Sequence, residues 1–260
     1  MKTINEVCVK NTYPEKIIQF GEGNFLRAFV NWITDTMNKK DLFGGSSVVV
    51  QPIQHGMAKE LNSQDGLYTL YLRGIKDKKA VSEHVVIESI SRALNPYEDT
   101  KAYEELATNA EARFVISNTT EAGITVNPED QLDDAPPSSF PAKVTAMLYK
   151  RYKHFNGDAS KGFIFLPCEL IDKNGEKLKE SILEYIKLWN LEDGFKAWVC
   201  DNSIFCNTLV DRIVPGYPRD RMDEIKAELG YEDNLVVEAE QFHLWVIEGP
   251  SCVKDEFPAD

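Results

Sequence analysis

Two glycines one residue apart, Gly21 and Gly23, lie in the stretch IIQFGEGNFLRAF between an apolar run and what reads as the first turn of a helix. That setting suits phosphate chemistry. Gly21 would permit a tight strand-to-helix turn, and Gly23 would let the backbone approach a pyrophosphate seated on the helix amino terminus. The third glycine of the usual dinucleotide pattern is absent, with Leu26 in its place. An ordinary βα turn is therefore the competing reading, and the helix must meet its sheet at a different distance or angle.

Three further places along the chain offer polar groups where such a ligand would need them. The run SSVVVQPI ends in Gln51 where dinucleotide folds commonly carry an acid for the adenosine ribose. An amide can bond a ribose hydroxyl but neither repels nor pairs with a 2′-phosphate, so cofactor choice stays open, and a strand-end cap is the alternative. The run RFVISNTTEAGI closes in Ser117, Asn118, Thr119, Thr120 and Glu121, a polar edge fit for the nicotinamide half of a dinucleotide or simply a capping loop. In FLPCELIDKNGEKLKE, Asn174 is placed to stabilise a developing alkoxide if it faces a pocket; otherwise Asn174-Gly175 is a turn. Cys168, with no activating histidine nearby, reads as a buried thiol. Asp211 and Arg212 sit in the apolar frame NTLVDRIVP, as an ion pair, a buried contact or an orienter of a sugar carboxylate. His55, His84, His154 and His243 are scattered without metal-ligand spacing.

The elements that must position these groups follow an α/β pattern: short apolar runs alternate with segments of helical period, as in βα units around a parallel sheet. KIIQF reads as the first strand, FLRAFVNWITDTMNKK as one continuous helix and SSVVVQPI as the second strand. YTLYLRGI and VSEHVVIESI read as an antiparallel hairpin closed by KDKKA. GFIFLPCEL reads as another strand, DDAPPSSFPA as a loop stopped by prolines before a helix, and NLVVEAEQFHLWVIE as extended. The expected fold is a Rossmann-like, doubly wound, mostly parallel sheet with added antiparallel strands, occupying residues 1–260 as one dinucleotide-binding domain.

With 42 acidic against 29 basic residues and a net charge of −13, the chain is disfavoured as a general partner of nucleic acid or an anionic membrane. No apolar run spans a bilayer, and the start MKTINEVCVKN lacks a secretory stretch, so a cytoplasmic location is expected. Five cysteines without Cys-x-x-Cys spacing read as reduced thiols.

Taken in order, IIQFGEGNFLRAF, SNTTEAGI, LPCELIDKNGEKLKE, FCNTLVDRIVPGYPRD and HLWVIE resemble the mannitol dehydrogenase family of long-chain polyol and sugar-acid dehydrogenases, from about residue 17 to 249. The family loop Gly-x-Gly-x-Phe-x-Arg-Ala is matched by Gly21, Gly23, Phe25, Arg27 and Ala28, which makes Leu26 an expected residue. The resemblance implies NAD as cofactor, held by Ile18, Phe20, Gly21, Glu22, Gly23, Asn24, Phe25, Arg27, Ala28, Gln51, Thr119, Thr120 and Glu121. It implies hydride transfer between NADH and the keto carbon of a sugar acid, tagaturonate giving altronate, with Asn174 as an oxyanion-hole donor. Fructuronate or a polyol as substrate, and a non-catalytic dinucleotide-binding module, are the alternatives. Where the family has Cys-Asp-Asn, this chain has Cys168, Glu169 and Leu170. The family's acid/base lysine, in a Lys-x4-Asn-x2-His arrangement on a helical carboxyl-terminal domain, has no counterpart here, so that domain is the expected partner of this one.

Overall fold

The computed structural model describes residues 1–76, 78–120 and 123–259. Six strands form one sheet: β1 (Glu15–Phe20), β2 (Ser46–Val50), β5 (Ile90–Leu94), β6 (Phe114–Ser117), β7 (Ile164–Pro167) and β8 (Ile204–Phe205). Their spatial order is β5-β2-β1-β6-β7-β8, and every neighbouring pair is parallel. Counting only these strands, the order is 3-2-1-4-5-6, the doubly wound arrangement in which successive strands are added first to one side of β1 and then to the other. The crevice between the ends of β1 and β6 is the switch point, and the glycine pair and the Asn118–Thr120 loop both open onto it.

The central strands are apolar on both faces because helices cover both. Ile18, Phe20 and Val115 pack with Val144, Leu148 and Ile182 from the helices Phe140–His154 and Asn174–Leu188, while Ile17, Phe114 and Ile116 pack with Leu26, Phe29 and Ile33. Among the buried residues of β1 the polar exception is Gln19, bonded through its amide to Gly21 O at 2.9 Å and Asn31 Oδ1 at 3.1 Å.

The helix expected over residues 25–40 is interrupted. An α turn, Asn24–Leu26, passes into a π segment, Arg27–Asn31, before the α-helix Trp32–Lys39. The wider turn seats Asn31 inside the fold, where its amide donates to Gln19 Oε1 and Ser47 Oγ. Periodicity cannot reveal this, because a single-turn bulge leaves the apolar spacing nearly intact.

β3 (Tyr68–Lys76) and β4 (Lys79–Ile87) form the expected antiparallel hairpin, and β10 (Val237–Glu240) joins β3 in parallel as a third strand. Asp77, in the expected turn, lies outside the described residues. The single strand expected over VSEHVVIESI is two: β4 ends at Ile87, and β5 begins at Ile90 on the edge of the main sheet. Glu88 and Ser89 make the transfer, the former donating its amide to Asp35 Oδ1 and the latter its hydroxyl to Asn31 O. A two-stranded ribbon, β9 (Asn207–Asp211) with β11 (Leu244–Glu248), completes the strands named here. No helix among the described residues is long and apolar enough to cross a membrane.

Candidate functional site

A cleft of about 450 Å³ lies at the switch point, lined by Gly21, Glu22 and Gly23 after β1, Pro52 and Ile53 after β2, Asn118 to Thr120 after β6, and Ser138 to Phe140 before the next helix. Gly21 turns the chain there with φ of +121°, a conformation open to glycine and costly for other residues. Its amide donates to Val50 O at 3.0 Å, and a Cβ on it would lie 3.1 Å from Leu26 Cδ1 and 3.2 Å from Asn118 O. Leu26 therefore does not replace a glycine contact with open space. Its side chain is packed into the core directly against Gly21, so the close approach that a third glycine provides elsewhere is here supplied by the first one.

Gly23 caps the following turn in an extended conformation, and a Cβ on it would meet nothing within 4 Å. The amides of Asn24, Phe25 and Leu26 precede the first intrahelical bond, from Arg27 N to Gly23 O at 3.2 Å. An exposed glycine followed by such a turn is a donor set that suits a phosphate, and it leaves room for one.

On the opposite wall the β6 loop is clamped from beneath. Asn118 N donates to Phe20 O, and Asn118 Nδ2 to Cys168 O at 2.7 Å. Glu169, almost fully buried, accepts from Ser117 Oγ at 3.0 Å and from both Thr119 N and Thr119 Oγ1 at 2.9 Å. Burial pushes the Glu169 carboxyl above its ordinary range, and these hydrogen bonds act against that push. Thr120 follows with φ of +87°, an uncommon conformation for a β-branched residue, and is exposed on the cleft. Glu121 lies outside the described residues.

The remaining expected contacts divide sharply. Ile18, Phe20 and Ala28 are buried in the core and support the loop from below. Phe25 stacks on Phe29 with ring centres 5.1 Å apart. Arg27 is buried and directed inward: Nε donates to Glu22 O at 3.1 Å, one terminal nitrogen to Leu235 O at 2.6 Å and the other to Asn24 Oδ1 at 2.7 Å. It fixes the glycine loop instead of facing the cleft. Gln51 is the strand-end cap: its amide nitrogen donates to Ile53 O at 2.8 Å and Gln54 O at 3.0 Å, and its oxygen accepts from Ala58 N at 3.2 Å. Both amide hydrogens are thereby spent within the loop.

A wider opening of about 500 Å³ lies at the end of β7, lined by Glu169 to Lys173, Asn207 to Leu209, Val246 and Glu248. Asn174 stands behind this surface. It is fully buried, and its amide nitrogen lies 2.9 Å from Pro167 O, 3.1 Å from Glu169 O and 3.0 Å from Thr208 O, while its oxygen accepts from Thr208 N at 2.8 Å. This geometry makes it a staple between β7 and β9, with no hydrogen directed at a pocket. The amide expected to face an alkoxide is bonded here to backbone carbonyls. Cys168 is a buried thiol, its pKa raised by burial. Arg212 donates to Glu240 O and Ala28 O and lies 4.4 Å over the Trp32 ring.

Glu169 and the pair Gln19–Asn31 were the supporting residues least visible in the sequence. An amide inside an apolar strand is the one signal that marks Gln19, since burial demands a partner.

The pattern of the mannitol dehydrogenase Rossmann domain matches residues 15–259. An altronate oxidoreductase of Bacillus subtilis (strain 168) is 56% identical over 246 residues, which cover 95% of this chain and 51% of that protein. An altronate oxidoreductase of Phocaeicola vulgatus is 58% identical over 261 residues, covering 100% of this chain and 54% of the other. The chain thus spans about half the length of the curated relatives it matches. Among solved structures, Pseudomonas fluorescens mannitol 2-dehydrogenase in a ternary complex with NAD and D-mannitol superposes with a TM-score of 0.77 at 26% identity, over 91% of this chain and 49% of that one. A substrate-free D-sorbitol dehydrogenase gives a TM-score of 0.76 at 25% identity, over 90% and 50%.

Proposed function

The chain belongs to the mannitol dehydrogenase family, and we propose that it is the NAD-binding portion of an oxidoreductase that interconverts tagaturonate and altronate by hydride transfer. The observation that carries the cofactor half of this reading is the meeting, at one switch-point crevice, of the Gly21–Gly23 turn and the Asn118–Thr120 loop. The substrate half rests on the altronate oxidoreductases among its relatives.

Gly21, Gly23 and the amides of the turn after them would cradle the pyrophosphate, and Thr119 and Thr120 would border the nicotinamide. The bound dinucleotide supplies the hydride. The protein's part is to hold the reacting face still: Glu169 fixes Thr119, Arg27 and Gln19 fix the glycine loop, and the apolar bed under both loops keeps them at one spacing. Ketone reduction also needs a proton donor beside the alkoxide. Glu22 is the one titratable side chain among the described residues lining the cleft, and its carboxylate is turned to Met57 N in the loop after β2. We therefore assign the donor to a second half of the protein, of the size that the relatives have in addition, with the opening beside Leu209 and Val246 as its seat.

Titration of the 260-residue chain with NADH, followed by nicotinamide fluorescence, is expected to saturate. No binding at millimolar concentration would sink the proposal. Oxidation of altronate, mannonate and mannitol by a protein carrying both halves then separates the sugar-acid reading from a fructuronate or polyol activity.

A further inference from the structure

The end of β2, where an acid usually grips the adenosine ribose, offers only Gln51, whose amide hydrogens are committed to Ile53 O and Gln54 O. A carboxylate reaches the same region from a different strand. Glu22, between the two glycines, is nearly buried yet lines the cleft, and its Oε1 crosses to the loop after β2 to accept from Met57 N at 3.3 Å.

The β2 loop is shaped for this crossing. A Cβ on Gly56 would lie 2.0 Å from Glu22 Oε1 and 2.6 Å from the Gln51 side chain, so glycine at position 56 lets the carboxylate lie against the backbone. Arg27 acts on this charge from nearby without bonding it, because its guanidinium donates to Glu22's own carbonyl, Leu235 O and Asn24 Oδ1. The carboxylate has backbone amides, its own and that of Met57, as its partners among the described residues. A desolvated carboxylate that no cation bonds directly is costly, and a ligand that donates hydrogen bonds to it relieves the cost. Adenosine ribose, lying between the glycine loop and the end of β2, brings two hydroxyl donors to that place.

We propose that Glu22 is the residue by which this chain selects NAD over NADP, accepting from the adenosine ribose hydroxyls and repelling a 2′-phosphate, in the role an acid at the end of β2 fills elsewhere. The proposal rests on the dinucleotide reading of the cleft. The loop 51–57 contains no lysine or arginine to receive a 2′-phosphate.

Dissociation constants for NADH and NADPH on the chain, measured by fluorescence titration for the parent, Glu22→Gln and Gly56→Ala, test it. The parent is expected to favour NADH, and Glu22→Gln to lower the NADPH/NADH ratio of dissociation constants by about tenfold or more, through loss of like-charge repulsion and of a charged acceptor. Gly56→Ala keeps the charge but displaces it, and is expected to lower the ratio in the same direction, so the proposal does not hang on one variant's folding. An unchanged ratio in both folded variants overturns the role of Glu22 while leaving NADH binding intact. A parent that binds neither dinucleotide overturns the underlying reading instead.

Discussion

At the end of β1 the chain turns on Gly21 into a helix whose first amides, Asn24 to Leu26, come before any intrahelical bond, and Gln19 and Arg27 turn inward to brace the turn. At the end of β7, two strands along the same sheet, Glu169 and Asn174 also turn inward, but the surface beyond them carries apolar side chains among the charged Asp172, Lys173 and Glu248: Leu170 and Leu209 are more than half exposed, and Val246 nearly so. The first end is finished by its own chain and keeps backbone donors for a ligand. The second is finished in its interior and open on its face. Polarity in the sequence did not separate the two, because Asn174 and Thr119 look equally available on paper. What separates them is whether a backbone carbonyl or a cleft lies nearest.

The sharpest way to break the comparison is at Gly21. In Gly21→Val, a side chain at φ of +121° meets Leu26 Cδ1 and Asn118 O. Backbone strain and overpacking together are expected to cost about 3–5 kcal/mol and to abolish NADH binding. Urea unfolding and the fluorescence titration measure both. Normal stability with normal binding would mean that the loop is not organised around this glycine.

Asn174→Ala probes the other end. Removing the amide leaves Thr208 N and the carbonyls of Pro167 and Glu169 without their shared partner, and the expected loss is about 2–3 kcal/mol in urea unfolding. NADH affinity is expected to change less than threefold or so, because the cleft walls at Gly21 and Thr120 do not touch this staple. A stable variant would return Asn174 to the pocket and to the alkoxide role that its position in the sequence suggested.

Much of the fold was legible. KIIQF, SSVVVQPI, RFVISNTT and GFIFLPCEL are strands because apolar runs bounded by turn residues leave few alternatives, and all four sit in the main sheet as expected. The break between Ile87 and Ile90 was hidden because β4 and β5 belong to different sheets while their residues alternate as one strand. Leu26 was legible as a departure but not as a solution, since its contact with Gly21 depends on how the helix leaves the turn. The same limit applies to Glu22, whose carboxylate meets Met57, 35 residues further along the chain, through the parallel pairing of β1 and β2. Arg212 read as an ion-pair partner of Asp211, a buried contact or an orienter of a carboxylate, and the buried contact is the one the structure shows. Along extended backbone, neighbours face opposite ways, and Arg212, the residue after β9, turns inward over Trp32 while Asp211 stays exposed.

The smallest effect is expected where the second end is left open. Leu209 and Val246 face each other across the β9–β11 ribbon, on its exposed side. Changing both to Thr puts β-branched, strand-compatible side chains at both positions and removes apolar surface that this chain leaves about half exposed, so its unfolding free energy is expected to shift by no more than about 0.5 kcal/mol. In a protein carrying both halves the same pair of changes removes apolar burial from the proposed seat of the second half. There the expectation is a measurable loss of altronate oxidation with NADH affinity retained. Equal behaviour in the short and long proteins would mean that this face is ordinary surface. A loss of more than 1 kcal/mol or so in the short chain would mean instead that the ribbon is already packed, and that the second end is as finished as the first.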